Sequence, residues 1–155
     1  MNELNGYDIE DLAPGMTATF SKTITEADIV LFAAVSGDTN AIHINEEYAA
    51  STPFGGRIAH GFLTASVISA AIAGKLPGPG AIYLEQKMRF LAPVRPGDTV
   101  HAIVTVKEVI GERCRIVLET VCRVRNVDVV AGEATVKVGS LKQRLEKAKK
   151  HEAVA

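Results

Sequence analysis

Gly61-Phe62-Leu63-Thr64-Ala65-Ser66-Val67-Ile68-Ser69-Ala70-Ala71-Ile72-Ala73 is the longest apolar run in the chain, and no charged residue interrupts it. Gly74 closes the run, and Pro77-Gly78-Pro79-Gly80 keeps a helix from resuming. A helix without a polar face has to be enclosed by protein. Phe62, Leu63, Val67, Ile68 and Ile72 would each contribute about 1.5–3 kcal/mol on full burial. The run is too short, and too interrupted by Thr64, Ser66 and Ser69, to span a bilayer. The rest of the chain therefore has to wrap it.

Downstream of this helix the apolar period falls to two. Ile82, Leu84, Met88 and Phe90 alternate with Tyr83, Glu85, Lys87 and Arg89, and Gln86 is the misfit on the apolar face. Pro93–Asp98 reads as a turn. Val100, Ala102, Val104 and Val106 then alternate with His101, Ile103, Thr105 and Lys107. Gly111-Glu112 marks a hairpin into a strand over Cys114–Arg125, and Asn126–Asp128 leads to a last strand over Val129–Val138. Long strands joined by tight turns form an antiparallel sheet. Leu141, Leu145 and Ala148 have helical spacing inside a lysine-dense tail, residues 141–155, expected to be helical or disordered.

Upstream, Met1–Gly15 reads as an extended lead with a turn at Pro14-Gly15, and Met16–Ile24 as a strand. Thr25 starts a helix: its hydroxyl can accept from the free backbone donors, and Glu26 and Asp28 suit the positive end of the dipole. Ile29, Phe32 and Ala33 line one face, and Ser36-Gly37 stops it, so Asp38 emerges just past a helix C-terminus. Asn45 is placed to cap a short helix through Ala50, and Thr52–Arg57 is a loop. One strand, several helices and four more strands make an α+β chain. Its economical packing is an antiparallel sheet curved around the central apolar helix, the hot-dog fold, as one domain over residues 1–140. Sheet edges left open by so small a wrap predict a homodimer paired edge to edge.

Composition narrows the function. Hydrophobic residues make up 47% and charged residues 23% of the 155, which is ordinary globular usage. A net charge of -1 and the absence of Trp argue against a nucleic-acid binder. The charge is uneven, with most of the Lys and Arg after residue 60, but no glycine-rich phosphate loop is present. Cys114 and Cys122 fall on one strand, beyond disulfide reach, as buried thiols of a cytoplasmic protein. Met1–Glu10 is polar and acidic, unlike a signal peptide, and no membrane association is expected. The four histidines show no metal-ligand spacing, so neither a metal nor another cofactor is expected.

The chemistry concentrates in Ser36-Gly37-Asp38-Thr39-Asn40-Ala41-Ile42-His43, a segment too polar and turn-prone for core. Asp38 and His43, five residues apart, are able to share one water, taking its proton on one side and supplying one on the other. By themselves they read more readily as a turn or cap aspartate and a structural histidine, and their joint spacing favours the catalytic reading only somewhat.

Phe32 through His43 resembles the hydratase-2 motif of the MaoC-like, (R)-specific enoyl-CoA hydratases. Arg57-Ile58-Ala59-His60-Gly61-Phe62-Leu63 resembles that family's start of the central helix. Leu76 through Gln86, with Arg89-Phe90 and Pro93-Val94, resembles its first sheet strands, and Gly132-Glu133-Ala134 its final one. The resemblance covers residues 10–138 in order and spacing. Two positions depart from it: Ala41 replaces the usual Pro, and Asn45 the usual Asp. It implies reversible syn hydration of a trans-2-enoyl-CoA to the (R)-3-hydroxyacyl-CoA, with no cofactor. Asp38 is then the base, and His43 orients the water and delivers a proton to the α-carbon. Asn40 orients the pair, and the N–H of Gly61 polarises the thioester carbonyl. Ser66, further along the same helix, is placed either to reach Asp38 or the water or, as the more favoured reading, to serve as a small polar residue in tight packing. A carrier-protein dehydratase, a hot-dog thioesterase and a non-catalytic acyl-thioester binding module are the alternatives. His60 reads as structural, bonding the loop backbone. Arg57, Lys87, Arg89 and Arg95 are the cations available for the CoA phosphates, none of them singled out.

Overall fold

The computed structural model describes residues 5–152; residues 1–4 and 153–155 of the expected lead and tail lie outside them. The lead is not fully extended, because Ile9–Asp11 forms a 3-10 turn that buries Ile9. Five strands follow: β1 (Thr17–Thr23), β2 (Ile82–Phe90), β3 (Thr99–Ile110), β4 (Arg115–Val124) and β5 (Val127–Lys137). The helices are α1 (Glu26–Ser36), α2 (Ala41–Ile44), α3 (Glu46–Ala50), α4 (Gly61–Gly74) and α5 (Leu141–Glu152). All strands pair antiparallel in one sheet of order β1-β3-β4-β5-β2. This is an α+β hot-dog arrangement: α4 packs on β1, β3 and β4 at the concave face.

The alternation expected of the sheet holds where α4 covers it. Val100, Ala102, Val104 and Val106 of β3 are buried, as are Ile116, Leu118 and Cys122 of β4. Pro93–Asp98 is not a hairpin turn, however. β2 and β3 lie at opposite sides of the sheet, so the segment crosses between them, held by Ala59 N–H to the Val94 carbonyl and Gly97 N–H to the Ile24 carbonyl. Strand β2 departs from its alternation for a second reason, a bulge between Tyr83 and Glu85. Tyr83 stands opposite buried Val136, whereas Gln86, Met88 and Phe90 stand opposite Ala134, Gly132 and Val130. The extra residue moves Ile82 off the face of Met88 and Phe90. It also gives Gln86 partners: Tyr83 Oη donates to its side-chain oxygen, and its Nε2 donates to Thr120 Oγ1 at 3.1 Å.

Helix α4 runs where the apolar run placed it, but one of its five large side chains is not core. Leu63, Val67, Ile68 and Ile72 are buried, whereas Phe62 is 63% exposed. With Ser66, Ser69 and Ala73 it forms a stripe that this single chain leaves open. The tail is helical as α5 and is held at its start. Ser140 Oγ and the N–H groups of Leu141 and Lys142 donate to the Glu10 carboxylate, and Arg144 pairs with Asp8. The Ser140 hydrogen bond, opposed by some desolvation and helped by the amides, lowers the Glu10 pKa from its ordinary value.

Candidate active site

Local structure delivers Asp38 first. Thr25 and Asp28 form a capping box at the start of α1, and Gly37, at φ 79°, ends it in the left-handed conformation that glycine adopts without strain. Ser36 Oγ donates to the Phe32 carbonyl and accepts from Asp38 N–H at 3.1 Å. Asp38 Oδ1 accepts from Asn40 N–H at 3.2 Å, which leaves Oδ2 free. The segment is not a loop throughout: Asn40 caps the short helix α2, its Oδ1 accepting from Ile42 N–H at 3.3 Å. Ala41 is the first residue of that helix, where proline is favoured in general. Asn45 caps α3 through a bond from Tyr48 N–H at 2.9 Å.

Helix α2 turns His43 inward. The residue is buried, unlike the polar segment that carries it, and its Nδ1 lies 2.8 Å from the Ile58 carbonyl. A carbonyl only accepts, so Nδ1 bears the proton and Nε2 of the neutral ring is a lone pair. That Nε2 lies 4.0 Å from Asp38 Oδ2. The gap is too long for a direct hydrogen bond. A water about 2.8 Å from each atom would bridge it with an angle near ~90°.

His60 completes the cluster. It is 1% exposed, Nε2 donates to the Asp38 main-chain carbonyl at 2.9 Å, and its ring lies 3.9 Å from that of His43. Asp38, His43 and His60 each bring one potential ligand atom within 4.8 Å of the others, a convergence that the sequence spacing of the histidines did not show. One nitrogen of each ring is already committed to a backbone carbonyl.

A cavity of about 450 Å³ opens beside this group. His43, Ile58, Gly61 and Thr64 line one side, and Phe54, Phe62, Phe90, Val129 and Val130 much of the rest. Gly61 is the first residue of α4, and no side chain caps that helix start. Its N–H is thus a free donor at the positive end of a helix dipole, on the cavity wall. Phe62 and Phe90 meet edge to face with centroids 5.6 Å apart.

The remaining site expectations fare differently. The Asn40 side-chain oxygen caps α2, and it is the Asn40 backbone N–H that bonds Asp38, at Oδ1. Ser66 Oγ donates to the Leu63 carbonyl at 2.6 Å, on its own helix, and is exposed in this single chain. Arg57 is bound by Glu26 and Glu46 and is not a free cation. Arg95 donates to the carbonyl of Phe54, a residue of the cavity wall.

A sheet curled on one helix, with a carboxylate and an imidazole spaced for one water beside an apolar cavity, defines a hot-dog protein equipped for acid–base chemistry. Residues 11–129 match the family model described as MaoC like domain. The chain is 52% identical over 129 residues to the (R)-specific enoyl-CoA hydratase of Rhodospirillum rubrum, covering 83% of this chain and 90% of that one. It is 50% identical over 136 residues to the 3-hydroxybutyryl-CoA dehydratase of Methylorubrum extorquens, covering 88% and 87%. Its backbone matches the unliganded R-hydratase PhaJ1 of Pseudomonas aeruginosa with a TM-score of 0.83 and 41% identity over 88% of each chain. The chain belongs to the MaoC-like family.

Proposed function

We propose that this protein is an (R)-specific enoyl-CoA hydratase, a hydro-lyase adding water reversibly across the 2,3 double bond of a trans-2-enoyl-CoA. The observation that carries the reading is the 4.0 Å separation of His43 Nε2 and Asp38 Oδ2 beside the cavity. Both atoms accept hydrogen bonds, so one water donates one hydrogen to each. In this tautomer the neutral His43 has no Nε2 proton to give until it has taken one. That changes the order of roles expected from the motif. Nε2 takes a proton as the water oxygen bonds to C3, and Asp38 holds the other hydrogen and balances the imidazolium. The enolate charge on the thioester oxygen falls to the Gly61 N–H, and the imidazolium returns its proton to C2. Hydroxyl and hydrogen arrive from one side, which is syn addition.

The test is to incubate the protein with short- and medium-chain trans-2-enoyl-CoAs and follow loss of the conjugated thioester absorbance. The product is then offered to an (S)-specific hydroxyacyl-CoA dehydrogenase. Loss of absorbance with no oxidation is the expected result; oxidation, or release of free CoA, overturns the assignment. The reading extends to a cytoplasmic homodimer, with residues 1–140 as the hydratase domain and α5 as an appendage. Support for the dimer is the apolar edge strand β2, where Ile82, Leu84 and Phe90 are 56%, 45% and 50% exposed. Cys114 and Cys122, both free thiols and buried, are consistent with a reducing compartment. Among the described residues, no helix is long and apolar enough to cross a membrane.

A further inference from the structure

His60 does more than fill space. It is the residue before α4, its ring centroid lies 3.9 Å from that of His43 and 4.9 Å from that of Phe32, and it is buried. Its Nε2–H goes to the Asp38 carbonyl, while Nδ1 is buried without a hydrogen-bond partner among the described residues. An unpartnered buried acceptor is a standing cost that leucine or phenylalanine in the same place would avoid.

The hydrogen bonds of Asp38 show what offsets that cost. Asp38 N–H donates to Ser36 Oγ, and Asn40 N–H donates to Asp38 Oδ1; both bonds are local, two residues away in each direction. Among the described residues, the bond from His60 is the one that reaches Asp38 from another part of the chain, across 22 residues. His43 hangs on the same short segment through the Ile58 carbonyl, and Ala59 N–H fastens the segment to the Val94 carbonyl at 2.7 Å. Ile58–His60 thus acts as a ruler that carries His43 at one end and Asp38 at the other, with Gly61 next in line. His60 contributes the side chain in that ruler. We propose that His60 is a positioning residue, whose Nε2–H sets the separation of Asp38 from His43 and so the seat of the reacting water. The inference rests on the hydratase reading for its kinetic consequence, but not for the contact itself.

Two amides separate donor from bulk. The Nε2 of glutamine lies as many bonds from Cβ as the Nε2 of histidine, so His60→Gln keeps a donor aimed at the Asp38 carbonyl. The Nδ2 of asparagine matches Nδ1 instead, so His60→Asn does not. With crotonyl-CoA as substrate, His60→Asn is expected to lower kcat about 10–100-fold, with KM within about threefold. His60→Gln is expected to recover most of kcat at a similar melting temperature. Equal kcat in the two folded variants, or a loss tracking melting temperature alone, overturns the proposal. Backbone 15N spectra supply the arm that needs no activity. The Asp38 amide and its neighbours are to shift in His60→Asn and stay near native positions in His60→Gln; the same spectrum for both variants overturns the contact. Absence of hydration by the unsubstituted protein would instead remove the hydratase reading, and the spectra would still decide whether His60 holds Asp38.

Discussion

At the scale of single residues, the proposed site is two acceptors 4.0 Å apart that one water can bridge, and the two should act as a unit. Asp38→Asn or His43→Ala is expected to lower kcat by about 10²–10⁴. The double variant should cost much less than the product of the two, a non-additivity read directly from steady-state rates. The Gly61 donor is testable by comparing Gly61→Pro with Gly61→Ala. A Cβ at this position would stand 2.8 Å from the Phe90 ring, so both variants displace that ring and differ chiefly in the N–H. Gly61 is not among the positive-φ glycines, and proline is tolerated in a first helical turn. The proline variant should lose a further ~10²–10³ in kcat relative to alanine; equal rates would place the carbonyl donor elsewhere. Asp38 and His43 were legible as neighbours chiefly through the resemblance of their motif, since their spacing and types alone fit a turn aspartate and a structural histidine at least as well. The tautomer of His43 and the tether from His60 were not, since both depend on partners 15 and 22 residues away. The Ser66 hydroxyl donates to the preceding turn of its own helix, a bond that sequence spacing does not reveal.

At the scale of elements, caps and patterns were legible and crossings were not. Thr25, Gly37 and Asn45 sit where the sequence placed them because capping is local chemistry. Thr25→Ala should destabilise the protein by ~1 kcal/mol, read as a lowered urea midpoint at unchanged slope. The same box adds a pH dependence of known sign. Hydrogen bonding from the Thr25 backbone, then opposing desolvation, then the Thr25 hydroxyl and Lys22 leave the Asp28 pKa lowered from 3.8. A carboxylate with a lowered folded-state pKa contributes stability above its unfolded value and loses it as pH falls through the folded one. The Thr25→Ala difference should therefore be present at neutral pH and shrink below about pH 4. Strand β2 marks where pattern reading ends. One bulge residue changes which side chains share a face, and Pro93–Asp98 looks like a hairpin turn yet crosses the sheet, because the true neighbour of β2 is β5.

At the scale of the whole molecule, a helix apolar on nearly every side asked for an enclosure that one chain does not complete. Phe62 on α4 and Leu84 and Phe90 on β2 remain exposed, at the end of the sheet that α4 leaves uncovered. In the proposed homodimer, a second copy covering the β2 edge would account for them. Leu84→Glu is expected to shift the sedimentation coefficient from dimer to monomer, while Val35→Glu, on exposed α1, serves as the control for added charge. A native protein sedimenting as a monomer would refute the pairing. The general enclosure was legible from hydropathy. Open sheet edges were expected as well, but not which side chains would stay uncovered, because period and composition report that a face is apolar and not whose atoms cover it.

The latch at Glu10 has a kinetic consequence. Its bond to Ser140 joins residues 130 apart in sequence, and β1 likewise waits for β3. Contacts of such separation give a high relative contact order and slow folding, and this latch closes a loop whose entropy is repaid only after the sheet exists. Its φ-value should lie near zero. In a chevron experiment Glu10→Gln should therefore steepen neither limb and leave the refolding rate unchanged, while raising the unfolding rate at every denaturant concentration. The helix that closes the chain would then govern how long the native state persists, and have no part in how fast it is reached.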